Sequence, residues 1–307
     1  MKRGRLNQLR AVLVSCVIGG AQAADYETGQ HPLLDLARTL ETSREPPTTR
    51  GYYAPELRAA EHALEQAHVP ADEDCARSLG ASVYADLHVD LARAREAKGD
   101  FAAAAQAYRR ALACSPRTSR ILGHLADALF SARDLAGARA AVQEALDISP
   151  RGVYLNQVAG NIDFVEQRWA DAVARFRYVA ASEKDRERAA FAQLMYWLAQ
   201  MRAGVPKPEF VSRRHIEEWP KPLMLYMQGQ YTEVELAYAV REDDSDYAET
   251  RTDHRLCQAL YYVGEAHLAR GQPKLALDYF TAAVNVKVIH FDAHGMALAE
   301  IAKLRVP

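Results

Sequence analysis

The 307-residue sequence predicts an all-α fold of stacked helix pairs, and three observations carry that expectation. First, one set of residues recurs at a spacing of 34. With Gly99-Asp100 taken as a turn, Ala104, Tyr108, Ala111 and Pro116 follow; one spacing on stand Arg133-Asp134 with Ala138, Val142, Ala145 and Pro150, and two on stand Gln167-Arg168 with Ala172, Phe176 and Val179. Second, apolar residues between these marks keep a helical period and no strand-like alternation competes. Third, 49% of residues are apolar and 25% charged, a composition that is neither low-complexity nor disordered.

A recurrence of this length and residue type is tetratricopeptide spacing. It places three tandem units at 85–118, 119–152 and 153–186. A fourth lies at 257–290, where Gly264, Gly271, Ala276, Phe280 and Ala283 keep the frame. The residue types have a packing reason: small alanines let the second helix of a pair approach the first, large residues fill the space between units, and proline ends a unit. The predicted architecture is therefore a right-handed superhelical solenoid in which each unit buries its apolar face against its neighbours.

Residues 1–23 read as an export signal. Lys2, Arg3, Arg5 and Arg10 precede the apolar run Ala11–Gly20 and the small-residue site Ala21-Gln22-Ala23. Their removal takes the formal charge from −2 to −6, and with no basic excess a nucleic-acid partner is not expected. Two readings stay open. Cleavage after Ala23 gives a periplasmic or secreted protein, whereas Leu13-Val14-Ser15-Cys16 also fits a lipoprotein acylated on Cys16, which would add a membrane tether.

Residues 24–53 are expected to be an extended segment containing the loop Glu45–Thr49, and 54–68 an amphipathic helix that opens a helical region spanning 54–202. Arg188 to Met201 continues the helical period, and Gly204-Val205-Pro206-Lys207-Pro208 begins a linker over 203–222. Trp219 to Tyr226 suggests a short helix entered through prolines at the end of the linker; in the C-terminal helical region, 223–307, Arg241 to Asp246 reads as a solvated loop and Asp292 to Leu304 as a capping helix. Cys75 and Cys114 would lie at neighbouring ends of antiparallel helices, where they are either disulfide-bonded or simply buried. Cys257 is left over.

Catalytic signatures such as GxSxG, HExxH and a phosphate-cradling glycine loop are absent, so neither an enzyme nor a cofactor is expected. The strongest metal pattern is His290, Asp292 and His294, which could share one helix face in a metal-dependent enzyme; the competing reading is an ordinary helix start with Asp292 near the N-cap. What remains is surface. In such repeats the first helix of each pair lines the concave face at set positions, here Arg93, Arg120, Asp127, Phe130, Tyr154, Gln157, Asn161 and Phe164. Arginine and aromatic side chains suit a groove for an extended peptide or a partner helix, although Phe130 and Phe164 could equally pack between units.

The layout resembles the NlpI-like tetratricopeptide envelope lipoprotein family. The resemblance rests on Trp197-Leu198-Ala199, the Trp219-led segment ending at Gly229, and a closing stretch with Tyr261-Tyr262-Val263-Gly264-Glu265, Phe280-Thr281-Ala282-Ala283-Val284 and His290-Phe291 before Ala297 and Glu300. It implies a non-enzymatic, dimerising periplasmic adaptor that binds peptidoglycan hydrolases and an envelope protease. An assembly or pilotin-like factor of a secretion or pilus system is the alternative.

Overall fold

The computed structural model describes residues 31–43, 54–67, 75–116, 118–211, 219–241, 248–289 and 292–305. The export signal, Cys16, the Glu45–Thr49 loop, most of the charge run after Arg241, and His290 lie outside them. Among the described residues there are fourteen helices and no strand, as the repeat spacing requires. None of these helices is long and apolar enough to cross a membrane.

One compact unit spans 45–162. With Pro32–Ser43 as α1, this unit holds α2 (Ala54–Ala67), α3 (Ala81–Ala97), α4 (Phe101–Cys114), α5 (Ser119–Ser131), α6 (Leu135–Ile148) and most of α7 (Val153–Val165). The other unit takes in 1–44 and 163–307. Besides α1 it contains α8 (Trp169–Ser182), α9 (Arg186–Arg202), α10 (Lys221–Met227), α11 (Glu233–Arg241), α12 (Ala248–Ala269), α13 (Pro273–Asn285) and α14 (Asp292–Leu304).

Each helix pair closes on the same local device. The turn residues Gly99, Arg133, Gln167 and Gly271 all adopt left-handed backbone, with φ of 78°, 70°, 61° and 76°. In each, the next amide reaches back to a carbonyl of the preceding helix: Asp100 to Arg95, Asp134 to Leu129, Arg168 to Asp163 and Gln272 to His267. This satisfies carbonyls that a helix end leaves open. Asp100 and Asp134 then cap the second helix, their carboxylates accepting from the amides of Ala103 and Gly137.

Above the turn, Ala104, Ala138, Ala172 and Ala276 are wholly buried, and so are Tyr108, Phe176 and Phe280 at the large-residue position. The Cys75–Cys114 disulfide is formed; it joins the residue stretch before α3 to the end of α4 and packs with Ala85 and Tyr84. Cys257 is free and buried, and burial pushes its thiol up to about 12.

Two expectations need correction. Residues 32–43, placed in an extended segment, form helix α1, which buries Leu33, Leu34 and Leu36 against α11, α12 and α13. The linker at 203–222 does not divide the chain, because the side chain at its threshold crosses it. Arg202 bonds Glu265 at 2.9 Å, lies 3.8 Å from Glu300 and stacks over Trp169, so α8 and α9 belong with α12 and α14. Gln200 also holds the linker down, donating to the Glu209 carbonyl at 2.8 Å.

The repeated turns predict a reciprocal pair of substitutions. Gly271→Ala, at a site where a Cβ would meet nothing within 4 Å, should cost about 1 kcal/mol from backbone conformation alone. Gln167→Gly should gain roughly 0.5–1 kcal/mol for the same reason; thermal unfolding measures both. Replacing Cys75 and Cys114 together by Ser opens a loop of 39 positions and should cost roughly 2–4 kcal/mol in urea unfolding.

Candidate functional site

The unit spanning 45–162 carries a polar and aromatic ladder built by α3, α4, α5 and α7. Its rungs come from three rings. Tyr108 on α4 stacks on His124 of α5, with centroids 5.7 Å apart and planes 14° from parallel; His124 in turn meets Tyr154 of α7 at 5.3 Å. Each phenol is tied down by a carboxylate: Tyr108 donates to Glu96 at 2.9 Å and Tyr154 to Asp127 at 2.9 Å. Gly123 lets α5 and α7 come close, since a Cβ there would stand 2.5 Å from Leu155 and 3.2 Å from the Tyr154 ring.

Burial sets the charge states along the ladder. His124 is pushed down to about 4, first by desolvation and then by the neighbouring guanidinium groups of Arg93 and Arg120. Glu96 is raised by desolvation, although its bond from Tyr108 and the charge of Arg93 oppose that. The phenols of Tyr108 and Tyr154 are raised by burial and by the carboxylates they contact. At neutral pH the ladder therefore presents neutral rings flanked by fixed charges.

The sequence-predicted residues divide between surface and core. Arg93 and Arg120 are exposed, with Arg120 3.8 Å from Asp86; Tyr154 is 40% exposed, Asp127 is half-buried, and Gln157 is half-buried and donates to Asn161. Phe130, Asn161 and Phe164 are corrections. They are 3%, 2% and 0% exposed, so a partner cannot reach them. Phe164 lies in the other unit and packs edge-on against Trp169 at 5.2 Å.

Glu96, Tyr108 and His124 were missed. Glu96 stands at the twelfth position of its unit, the position that selected Phe130 and Phe164, so the same register could have found it. Tyr108 was read as a large core residue, which its ring is; its hydroxyl and the ring of His124 give no separate signal. Of the metal pattern, Asp292 and His294 stand in the first turn of α14, and His290 lies outside the described residues. No group of three metal-ligating side chains occurs among the described residues.

A family model for the tetratricopeptide repeat matches residues 89–153, from within α3 to the first residue of α7. No curated protein matches the chain. The chain thus contains tetratricopeptide repeats, and the ladder falls almost wholly in the matched stretch. Such repeats generally mediate protein–protein contact and are typically scaffolds without catalysis of their own.

The titration of His124 is a direct check on this geometry. Its imidazole NMR shifts should give a midpoint near 4, and Arg93→Ala with Arg120→Ala should move it upward by removing the two repelling charges. Because the folded value lies below the ordinary 6.5, the stability of this unit should be greatest above pH 6.5 and fall as pH drops from there toward 4.

Proposed function

We propose that the protein is a non-enzymatic adaptor of the bacterial envelope that binds protein partners along the ladder of α3, α5 and α7. The observation that carries the reading is the ladder itself: exposed Arg93, Arg120 and Tyr154 stand with rings whose phenols are bonded to Glu96 and Asp127 within and between repeats. Tyr154, held by Asp127, gives up little side-chain freedom on binding, and arginine and tyrosine are enriched among the residues that carry binding energy at protein interfaces.

Export is the second part of the proposal. Its support is the basic, apolar and small-residue order of residues 1–23, together with the Cys75–Cys114 disulfide, a bond that persists in oxidising compartments. The partner class follows from the resemblance of the closing stretch: peptidoglycan hydrolases and an envelope protease. Acylation at Cys16 would tether the adaptor to a membrane face.

Affinity capture from crosslinked envelope fractions tests the reading. The unaltered protein should recover hydrolases and a processing protease, and Arg120→Ala with Tyr154→Ala should reduce that recovery at least tenfold while leaving the helical content intact. Recovery undiminished by the double substitution would contradict the groove, and recovery of a secretion or pilus complex would contradict the partner class.

A further inference from the structure

Helix α1 is held in place by residues that follow it by some 200 positions. The amide of Leu33, in the first turn of α1, donates to Glu233 Oε1 of α11 at 3.0 Å, and the hydroxyl of Tyr279 from α13 donates to the same oxygen at 2.6 Å. Glu233 is 3% exposed and Tyr279 is fully buried. A buried carboxylate thus faces the end of α1 where free amides and the helix dipole concentrate positive charge.

A stack of rings encloses this contact. His31, the residue before α1, meets Tyr279 edge-on at 6.1 Å and His267 of α12 at 6.4 Å, and its Nδ1 is 3.4 Å from the Tyr279 hydroxyl. His267 is 2% exposed, lies stacked on Tyr279 at 4.8 Å and donates from Nδ1 to Gln272 at 2.9 Å. Among the described residues, the charged and titratable groups seen at the contact are Glu233 from α11, His267 and Arg270 from α12 and its end, Tyr279 from α13, and His31 ahead of α1. Asp35, the acid in the first turn of α1, is turned to solvent and pairs with Arg38 at 3.0 Å.

We propose that α1 is a strap released by acid, with the buried imidazole of His267 as the sensing group and the apolar surface under Leu33, Leu34 and Leu36 as what release uncovers. A proton on His267 puts a cation beside Arg270, His31 and the positive end of α1.

The direction follows from the site. Burial holds His267 down to about 3, and Arg270 and His31 add to it against the opposing bond from Gln272. The released state, with an ordinary value near 6.5, takes up the proton that the docked state refuses. Docking is therefore strongest above pH 6.5 and weakens as pH falls toward 3. If release hydrates the ring fully, the docked-to-released ratio drops on the order of thirtyfold between pH 7.5 and 5.0.

Amide hydrogen exchange on the full chain, corrected for the intrinsic pH dependence, reads this out. Protection across α1 should fall at least tenfold from pH 7.5 to 5.0 while the amides of α9 in the same unit keep theirs. His267→Gln should make α1 protection flat with pH, and Glu233→Gln should lower it at both. Unchanged α1 protection in the unaltered protein, a parallel fall in α1 and α9, or a full acid response retained by His267→Gln would each overturn the proposal. The comparison of α1 with α9 decides even where a variant fails to fold.

Discussion

The closeness of two helices in a pair, set by a single methyl group, is the constraint from which the rest of the structure follows. Ala104, Ala138, Ala172 and Ala276 are each wholly buried at the same place in their pairs. A larger side chain there would force the helices apart, and protein interiors do not absorb added volume without strain. Once that distance is set, the large residue four positions on, Tyr108, Val142, Phe176 or Phe280, fills the adjoining space. The left-handed turn residues set the angle at which the second helix starts back. No pair could bury its apolar surface alone, which is why such pairs occur in runs.

The candidate site uses this packing rather than departing from it. Tyr108 occupies the large-residue position, so its ring is core; its hydroxyl emerges at the base of the ladder and bonds Glu96. His124 and Tyr154 continue the stack on the first helices of the next two repeats. The stacking of successive repeats thus carries ring contacts from one repeat to the next, with Arg93 and Arg120 beside them. A partner docking there would meet rings held by core contacts and a charge set by guanidinium groups that do not titrate.

How far the sequence could be read depends on the range of the interactions concerned. The helix pairs were legible because turn, alanine and large residue all lie within one 34-residue span. The short helix α10 and the capping helix α14 were legible from prolines and from Asp292 for the same reason. Helix α1 was not, since what holds it is Glu233 and Tyr279, far along the chain, and the local run Leu33-Leu34-Asp35-Leu36 does not name its partner. The unity of α8 and α9 with α12 and α14 was hidden likewise, because it rests on Arg202 meeting Glu265 and Glu300 across a proline-rich stretch. Within the ladder, register alone placed Arg93, Arg120, Asp127 and Tyr154 at or near the surface. It could not separate them from Phe130 and Asn161, which share the register and are turned inward by packing.

A binding role for the ladder requires that partners contact it rather than the outer face of the second helices. A photo-crosslinking residue placed singly at Arg93, Arg120 or Gln157, and for comparison at Arg109 and Glu144, which are exposed on second helices, would answer this in living cells. Covalent adducts with proteins at the first three positions and none at the last two are the predicted result. Adducts confined to Arg109 and Glu144, or equal at all five, would contradict the assignment of the ladder as the binding surface.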